Sequence, residues 1–396
     1  MKATRIRKII AVGVAAAVLG PLLFSGGAIA ASKEPVKIGV IDPLTGPAAR
    51  IGKENLEGME FALAEYGGKV AGRAIQFVMA DDQNNPNVGL TEARRLVERE
   101  KVVAIIGTLN SAVALATIPY TIRSKMPYVT GGIAAAITGS RKSAYTFRSS
   151  FAAGQLEAAA AAFLARKGYK TGVMMGSDYA AGHDAVAAVS ANIKRLGGAV
   201  VAELFPRQGE TDYAPFFSRV AAQKADFVYG YFFGGDTLRF VRQYKSLGLK
   251  FPLVMTPSAL SAASVAQALG KNVKGVYSTE LWIWTLGDPT TKKFVADYQK
   301  KYGHPPQTLA YDGYIKAKIV FEAIKALNGN IPNGTALAKA MKAVKFAAPG
   351  GEFKFDSNNN PVVNAHFVQW DWADDKAVPK VLESIAGIPQ GWQAKK

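Results

Sequence analysis

The residues best suited to bind a ligand are Asn110 and Ser111, which stand between an apolar stretch and a helical pattern. Residues 102–106 are apolar and rich in β-branched side chains, which predicts a strand buried on both faces. Ser111 is a favourable N-cap for a helix over residues 112–124. Free backbone N–H groups and the positive end of such a helix can bind an anion such as a carboxylate. An ordinary strand–helix turn with a capping serine is the alternative interpretation.

Other polar residues do not form a recognisable catalytic pattern. The histidines His183, His304 and His366 lack metal-ligand spacing, and the chain contains no G-x-S-x-G, G-x-G-x-x-G or P-loop motif. The pair Asp81–Asp82 could suggest an acid pair or a metal site, but it is typical of a loop with a helix-capping acid. The chain has no cysteine, which excludes cysteine nucleophiles and cysteine metal sites. We therefore expect no cofactor, no metal and no catalysis, with an exported enzyme as the less favoured alternative.

The N-terminus has the pattern of a secretory signal peptide. Four basic residues within positions 2–8 precede an apolar stretch over 9–24, and Ala28-Ile29-Ala30 matches a cleavage site. We expect cleavage after Ala30, with Ala31 as the alternative. A retained membrane anchor is the rival interpretation, but the apolar stretch is short and is broken by a Gly-Pro pair. The mature chain is expected to be exported and not membrane-spanning, and no cysteine follows to carry a lipid.

Size and charge limit the classes of partner. Removal of the first 30 residues leaves 366, which suits two lobes of roughly 150–200 residues each. The formal net charge is +18, and the signal peptide carries four of those positive charges with no acid, so +14 remains. Lys and Arg are scattered, with no block of five or six like charges. This distribution predicts a solvated basic surface and no nucleic-acid partner.

The elements that must position Asn110 and Ser111 alternate between strand and helix. The predicted strands cover residues 36–41, 74–80, 102–106, 127–130, 171–175, 200–205, 225–232, 252–255, 273–278, 352–356 and 362–370. The predicted helices include residues 54–66, 112–124, 155–167, 184–196, 290–302, 311–327 and 335–344, and a polar tail ends the chain. Two such series predict an α/β protein of two Rossmann-like lobes with parallel sheets. The carboxyl ends of the strands can then face a shared cleft.

Several segments, taken in order, resemble the type I periplasmic binding proteins, and especially the leucine/isoleucine/valine-binding proteins of ABC transporters. They are residues 37–47, 81–82, 107–111, 147–150, 177–182, and 225–229 leading into 240–244. The resemblance implies two lobes joined by three hinge crossovers, near Ser149, Thr279 and Asp356. It implies a monomer in the periplasm that closes over a small molecule and delivers it to an inner-membrane permease. A ligand-presenting partner of a membrane sensor is the alternative output.

The resemblance also implies bounds for the lobes. Residues 1–30 are the signal peptide and residues 373–396 a C-terminal tail. Lobe I comprises residues 31–149 and 279–356, and lobe II comprises residues 150–278 and 357–372.

Site residues carry over from the resemblance one at a time. The ligand carboxylate is expected at Asn110 and Ser111 and at the loop from Thr130 through Ile133 to Ala134. The family's threonine in that loop falls at Ala134, so its hydroxyl is missing. The family's acid for the ligand ammonium falls near Ser258, and its ligand-facing tyrosine falls near Phe233. A buried ammonium without a carboxylate partner would cost several kcal/mol.

This departure predicts a ligand that has a carboxylate and an apolar or aromatic body but no α-amino group; a branched-chain or other amino acid is the next candidate. The aromatic residues expected around it are Tyr179, Tyr231, Phe233, and Trp282 with Trp284. Most of them could instead belong to the core. Trp282 and Trp284 are the favoured candidates among them because they are predicted to lie in a cleft loop. Arg50 could add a contact to the acid or could be a solvated surface residue.

Overall fold

A computed structural model describes residues 34–46, 48–262 and 265–395. The predicted signal peptide and its cleavage site lie outside the described residues. None of the helices within the described ranges is long and apolar enough to cross a membrane.

The elements follow the predicted alternation of strands and helices. The strands are β1 (Val36–Asp42), β2 (Lys69–Val70), β3 (Arg73–Asp81), β4 (Ala104–Gly107), β5 (Tyr128–Thr130), β6 (Thr146–Arg148), β7 (Thr171–Gly176), β8 (Ala199–Leu204), β9 (Phe227–Tyr231), β10 (Leu253–Met255), β11 (Tyr277–Glu280), β12 (Lys345–Ala348), β13 (Gly351–Lys354), β14 (Val363–Ala373) and β15 (Lys376–Ile388). The α-helices are α1 (Ala49–Glu65), α2 (Pro86–Glu98), α3 (Ser111–Arg123), α4 (Gln155–Arg166), α5 (Ala180–Arg195), α6 (Ala214–Ala221), α7 (Gly234–Ser246), α8 (Val265–Leu269), α9 (Pro289–Tyr302), α10 (Thr308–Ala326) and α11 (Gly334–Lys342).

Two mostly parallel sheets organise the molecule. The first has the strand order β2-β3-β1-β4-β5-β6, and the second has the order β15-β14-β11-β10-β9-β7-β8. In the first sheet only the short β2 runs antiparallel to its neighbour, and in the second sheet β14 and β15 are antiparallel. All four residues of β4 are buried, as expected for a parallel strand covered by helices on both faces. The predicted α/β class with two Rossmann-like lobes is confirmed.

The chain passes between the two lobes three times, as predicted. It leaves the first sheet after β6 and enters the second at β7. After β11 it returns to the helices of the first sheet, and after the separate hairpin β12–β13 it rejoins the second sheet at β14. The second segment assigned to the first lobe, between the second and third crossovers, supplies α10, which packs on α1. The exact bounds of the two lobes remain a prediction.

The C-terminal segment is a strand and not the predicted polar tail. β15 pairs with β14 from Ala373↔Lys376 to Val363↔Ile388. The two residues between these strands, Asp374 and Asp375, both have positive φ, at 49° and 54°, which is the backbone of a tight hairpin turn. The tail prediction was wrong because β15 is an edge strand with mostly solvent-facing side chains, so its composition resembles that of a coil.

Candidate ligand-binding site

The first wall of the candidate site is the start of α3, at the carboxyl end of β4. The N-cap is Asn110 and not Ser111, which is the first helical residue. Asn110 Oδ1 accepts hydrogen bonds from the N–H groups of Ala112 at 2.7 Å and Val113 at 3.4 Å. The prediction of the cap was therefore wrong by one residue, because both side chains are good caps and backbone geometry selects between them. Asn110 also occupies two of the N–H groups that were expected to be free for an anion.

Ser111 connects the helix to the loop that follows β5. Its Oγ accepts a hydrogen bond from the N–H of Ala134 at 3.0 Å. Thr130 is fully buried at the start of that loop, where its hydroxyl donates to Thr108 O and accepts from Gly132 N–H, both at 3.0 Å. The structure thus brings Asn110, Ser111, Thr130 and Ala134 together at neighbouring strand ends, with Thr130 shaping the loop from inside.

Ile133 holds the loop against the first crossover. Its carbonyl accepts a hydrogen bond from the N–H of Ala153 at 2.8 Å, and its side chain is partly buried against the core. The loop of lobe I is therefore bonded directly to the segment that leads into α4.

The second wall lies at the carboxyl ends of β7 and β9. It consists of the aromatic side chains Tyr179, Tyr231 and Phe233, which we call the aromatic wall. The rings of Tyr179 and Tyr231 are 6.3 Å apart, and Phe233 meets Tyr231 edge-on at 5.1 Å. Burial raises the pKa of both tyrosines, so both stay neutral. Phe233 is 37% exposed, so its ring has surface available for an apolar ligand.

A buried acid that sequence reasoning missed lies beside Ser258. Glu280, at the end of β11, is fully buried, and its carboxylate accepts hydrogen bonds from the hydroxyls of Ser261 and Ser278, both at 2.6 Å. The backbone of Ser258 also hydrogen-bonds to it, while burial raises the pKa of Glu280 to about 7. Ser258 itself has a positive φ of 63° and a buried Oγ without a partner among the described residues. The sequence feature that could have indicated Glu280 is an acid two residues after the predicted strand 273–278.

Trp282 is a core residue and not an open cleft residue, which corrects the sequence interpretation. Its indole is fully buried, stacks on Tyr311 at 4.9 Å with an interplanar angle of 3°, and donates through Nε1 to Thr291 Oγ1 at 3.3 Å. Trp284 is partly buried and meets Trp370 edge-on at 5.8 Å. The error arose because Trp282 is covered by the following helices α9 and α10, whose packing on it the local sequence does not show.

Arg50 lies in the first turn of α1 and is exposed. Its charge acts on the buried Glu54, one helical turn further on, whose pKa is raised to about 7, chiefly by burial. Within the part of the chain that the structure describes, no hydrogen bond or ion pair joins Arg50 to the other predicted site residues.

A buried polar network lies beneath the loop that follows β5. The ammonium of Lys316 on α10 contacts Asp312 Oδ2 at 2.5 Å and Asn55 Oδ1 at 2.8 Å. Ser149, at the first crossover, donates to the other oxygen of Asp312 at 2.5 Å. Asp42, at the end of β1, is fully buried nearby, and burial raises its pKa to about 8. These bonds attach the first crossover to α10.

Metal chemistry receives no support from the side chains described. Within residues 34–46, 48–262 and 265–395, no group of three or more His, Cys, Asp or Glu residues could hold a metal ion. The pair Asp81–Asp82 instead ties loops together, since Asp81 accepts from Leu44 N–H at 2.8 Å and Asp82 accepts from the Thr108 hydroxyl at 2.6 Å. The cap of α2 is Asn85 and not either acid, which corrects that prediction.

A cavity of about 530 Å³ lies away from these walls, between α11 and the third crossover. Its lining includes Lys142, Lys339 and Lys342 and none of the predicted ligand residues.

Comparison with known proteins places this chain among transport proteins. A family model described as periplasmic binding protein matches residues 35–377. A curated relative, the Leu/Ile/Val-binding protein homolog 6 of Brucella melitensis, is 30% identical over 365 residues, which cover 89% of this chain and 92% of that protein.

Two solved structures are similar over nearly their whole length. An ABC transporter substrate-binding protein from Sphaerobacter thermophilus is 32% identical with a TM-score of 0.86, covering 90% of this chain and 99% of that one. A solute-binding protein of an ABC transporter from R. palustris, solved in complex with benzoate, is 28% identical with a TM-score of 0.81, covering 91% and 99%.

Proposed function

The chain belongs to the periplasmic binding protein family, as a type I member similar to the leucine/isoleucine/valine-binding proteins, and we propose that its ligand is an aromatic carboxylic acid of the benzoate type. It is a substrate-binding protein of an ABC transporter, which captures a small molecule and delivers it to a permease. We further propose that it acts in the periplasm as a monomer, after cleavage near Ala30, and that it binds its ligand without catalysis.

The carboxylate of the ligand is proposed to dock at Ser111 and at the loop from Thr130 to Ala134. Since Ser111 Oγ accepts a hydrogen bond from Ala134 N–H, its own hydroxyl hydrogen is available to donate to a carboxylate oxygen. The positive end of α3 favours a negative charge at the same place. This hydrogen bond between Ser111 and Ala134 is the observation that carries the proposal, because it joins the two predicted carboxylate-binding segments.

The ring of the ligand is proposed to lie against the aromatic wall. Tyr231 and Phe233 already form an edge-to-face pair at 5.1 Å, and aromatic rings favour such contacts with a further ring. The R. palustris protein, with 28% identity, was solved with benzoate bound. Both observations support an aromatic acid.

An α-amino acid is the second candidate ligand, and Glu280 is the observation that favours it. An ammonium group needs an ionised carboxylate close by, and Glu280 is bonded to the loop of Ser258, where the resemblance leads us to expect the acid. Both oxygens of Glu280 already accept hydroxyl hydrogen bonds, however, and burial raises its pKa to about 7. Protonation at neutral pH would weaken an ion pair, so we favour the aromatic acid.

Calorimetric titration of residues 31–396 with benzoate, 4-hydroxybenzoate and leucine tests the proposal. We expect a benzoate-type acid to bind at least about 10-fold more tightly than leucine, a difference of about 1.4 kcal/mol. Tight binding of leucine without any response to the aryl acids would favour the amino-acid alternative. Glu280→Gln then serves as a check, since it should weaken leucine and leave benzoate nearly unchanged.

A further inference from the structure

The side chain of Arg148 places a buried guanidinium directly behind the loop from Thr130 to Ala134. Arg148 is the last residue of β6 and is fully buried. Its side chain donates to four neutral acceptors: the carbonyl of Gly132, Ala134 O at 2.8 Å, Thr138 Oγ1 at 3.0 Å and Asn360 Oδ1 at 2.8 Å. Two of these acceptors are backbone carbonyls of the loop that is proposed to hold the ligand carboxylate.

These carbonyl bonds fix the direction in which the loop presents its N–H groups. In a planar trans peptide the C=O and the following N–H point in opposite directions. The carbonyls of Gly132 and Ala134 face Arg148, so the N–H groups of Ile133 and Ala135 point away from it. Donors on that outer side of the loop are suited to a carboxylate.

The charge of Arg148 strengthens these donors. Burial lowers its pKa to about 9, so the guanidinium remains positively charged at neutral pH. In the low dielectric of the interior a buried charge polarises the peptides it contacts, which makes their N–H groups better donors. The Arg148 guanidinium therefore supplies positive potential to the loop from Thr130 to Ala134 from its inner side.

Arg148 is also bonded to the first and third crossovers, through its backbone and its side chain. The backbone N–H of Arg148 donates to Asn359 O at 3.1 Å. Asn360, which accepts from the guanidinium, donates to Gln155 Oε1 at 2.9 Å, and that oxygen also accepts from Ala152 N–H at 2.6 Å. Asn360 and Gln155 are both buried. The loop is thereby bonded through Arg148 to both hinge segments.

We propose that Arg148 is a positioning residue for the ligand carboxylate, which orients and polarises the loop from Gly132 to Ala135 without contacting the ligand and links it to the first and third crossovers. This inference rests on the proposed function in so far as the ligand carries a carboxylate.

The test compares carboxylate ligands with their neutral amides in the mature protein. Arg148→Met should lower the affinity for benzoate by about 10- to 30-fold, the effect of one lost charge-assisted interaction, and lower the affinity for benzamide less than about threefold. Arg148→Lys retains the charge and should preserve most of the benzoate-to-benzamide ratio. Arg166→Met, which removes a guanidinium 46% exposed, controls for net charge and should leave the ratio unchanged. Equal losses for both ligands, or no loss, would overturn the proposal.

The pair leucine and leucinamide separates this inference from the choice of ligand. If the wild-type protein binds leucine and ignores benzoate, the aryl-acid proposal fails, while the ratio of leucine to leucinamide in Arg148→Met still tests the role of Arg148.

Hydrogen exchange gives a readout that needs no ligand and no Met variant. In Arg148→Lys, the amides of the loop 131–135 and those of Asn359 and Asn360 in the third crossover should exchange faster together, because one residue holds both segments. Faster exchange in only one of the two segments, or in neither, would contradict the proposed link.

Discussion

Asn110 and Ser111 have different roles at the start of α3 although either could cap the helix. Asn110 accepts from the first-turn N–H groups of Ala112 and Val113. Ser111 is therefore free of capping and bonds to Ala134 on the neighbouring loop. A single hydroxyl thus both positions the loop and remains able to donate to a ligand.

Replacing Ser111 with Ala should weaken binding of the carboxylate ligand by about 10-fold, as expected for one lost hydrogen bond. Calorimetry measures the change. Ser124→Ala at the other end of α3, where the hydroxyl bonds only to backbone carbonyls of its own helix, should bind normally. An unchanged affinity in Ser111→Ala would mean that the turn is only structural.

Buried carboxyl groups make stability depend on pH. Burial raises the pKa of Glu54, Glu157 and Glu280 from 4.5 to about 7. Between these values the native state holds protons that the unfolded chain has lost, so the free energy of unfolding falls as pH rises. Above about pH 7 these three groups are ionised in both states and their contribution becomes constant.

Glu280→Gln should make unfolding less sensitive to pH, because an amide cannot ionise and can still bond to the two serine hydroxyls. We expect the decrease in unfolding free energy from pH 5 to pH 8 to be smaller by about 1–3 kcal/mol. Urea denaturation at several pH values measures it. The control Glu203→Gln changes an exposed residue and should follow the wild-type pH profile. If Glu280→Gln also followed the wild-type profile, the raised pKa assigned to Glu280 would be contradicted.

At the scale of elements, α1 and α10 pack closely against each other at two glycines, Gly58 and Gly313. A Cβ built on Gly58 would lie 1.8 Å from Ala310 O, and one on Gly313 would lie 1.9 Å from Asn55 O. The helices therefore approach too closely for any side chain at these positions. This contact holds Asn55, Asp312 and Lys316 within hydrogen-bonding distance beneath the ligand loop.

Gly58→Ala or Gly313→Ala should force the two helices apart and destabilise the protein by about 3 kcal/mol or more, since the added methyl group meets backbone atoms that cannot move locally. The urea midpoint of unfolding measures the loss. Gly287→Ala is the matched control, because nothing lies within 4 Å of its Cβ position. A near-wild-type midpoint for Gly58→Ala would show that the helices can separate freely.

At the scale of the whole molecule, three crossovers connect the two lobes, and buried polar side chains bind the first and third of them to the candidate site. Ser149 bonds to Asp312 on α10, while Asn360 bonds to Arg148 and Gln155. A ligand that contacts the loop of lobe I and the aromatic wall of lobe II would favour the closed arrangement of the lobes.

Ligand binding should therefore stabilise and compact the protein. A benzoate-type acid at 100 times its Kd should add about 2.7 kcal/mol to the free energy of unfolding, which a thermal-shift assay detects as a higher Tm. Small-angle scattering should show a smaller radius of gyration in the same sample. Benzamide at equal concentration is the control, and a rise in Tm without compaction would argue against hinge closure.

The sequence by itself determined the class, the alternation of most strands and helices, and the strand–helix turn at Asn110. These features depend on local periodicity, on apolar runs and on helix-capping residues, all of which act over a few neighbouring positions. Most predicted strands and helices therefore begin and end within a few residues of the observed ones. β15 was missed because an edge strand has little apolar periodicity to detect.

Only the tertiary structure decided which of these residues share a site. Trp282 became a core residue because Tyr311 and Thr291 cover it, and Glu280 came to lie beside Ser258 because β10 and β11 pair in parallel. Arg148 gained its acceptors from residues as distant as Asn360. Such contacts join elements far apart in the chain, and their packing depends on the whole fold, so no local pattern of side chains contains them.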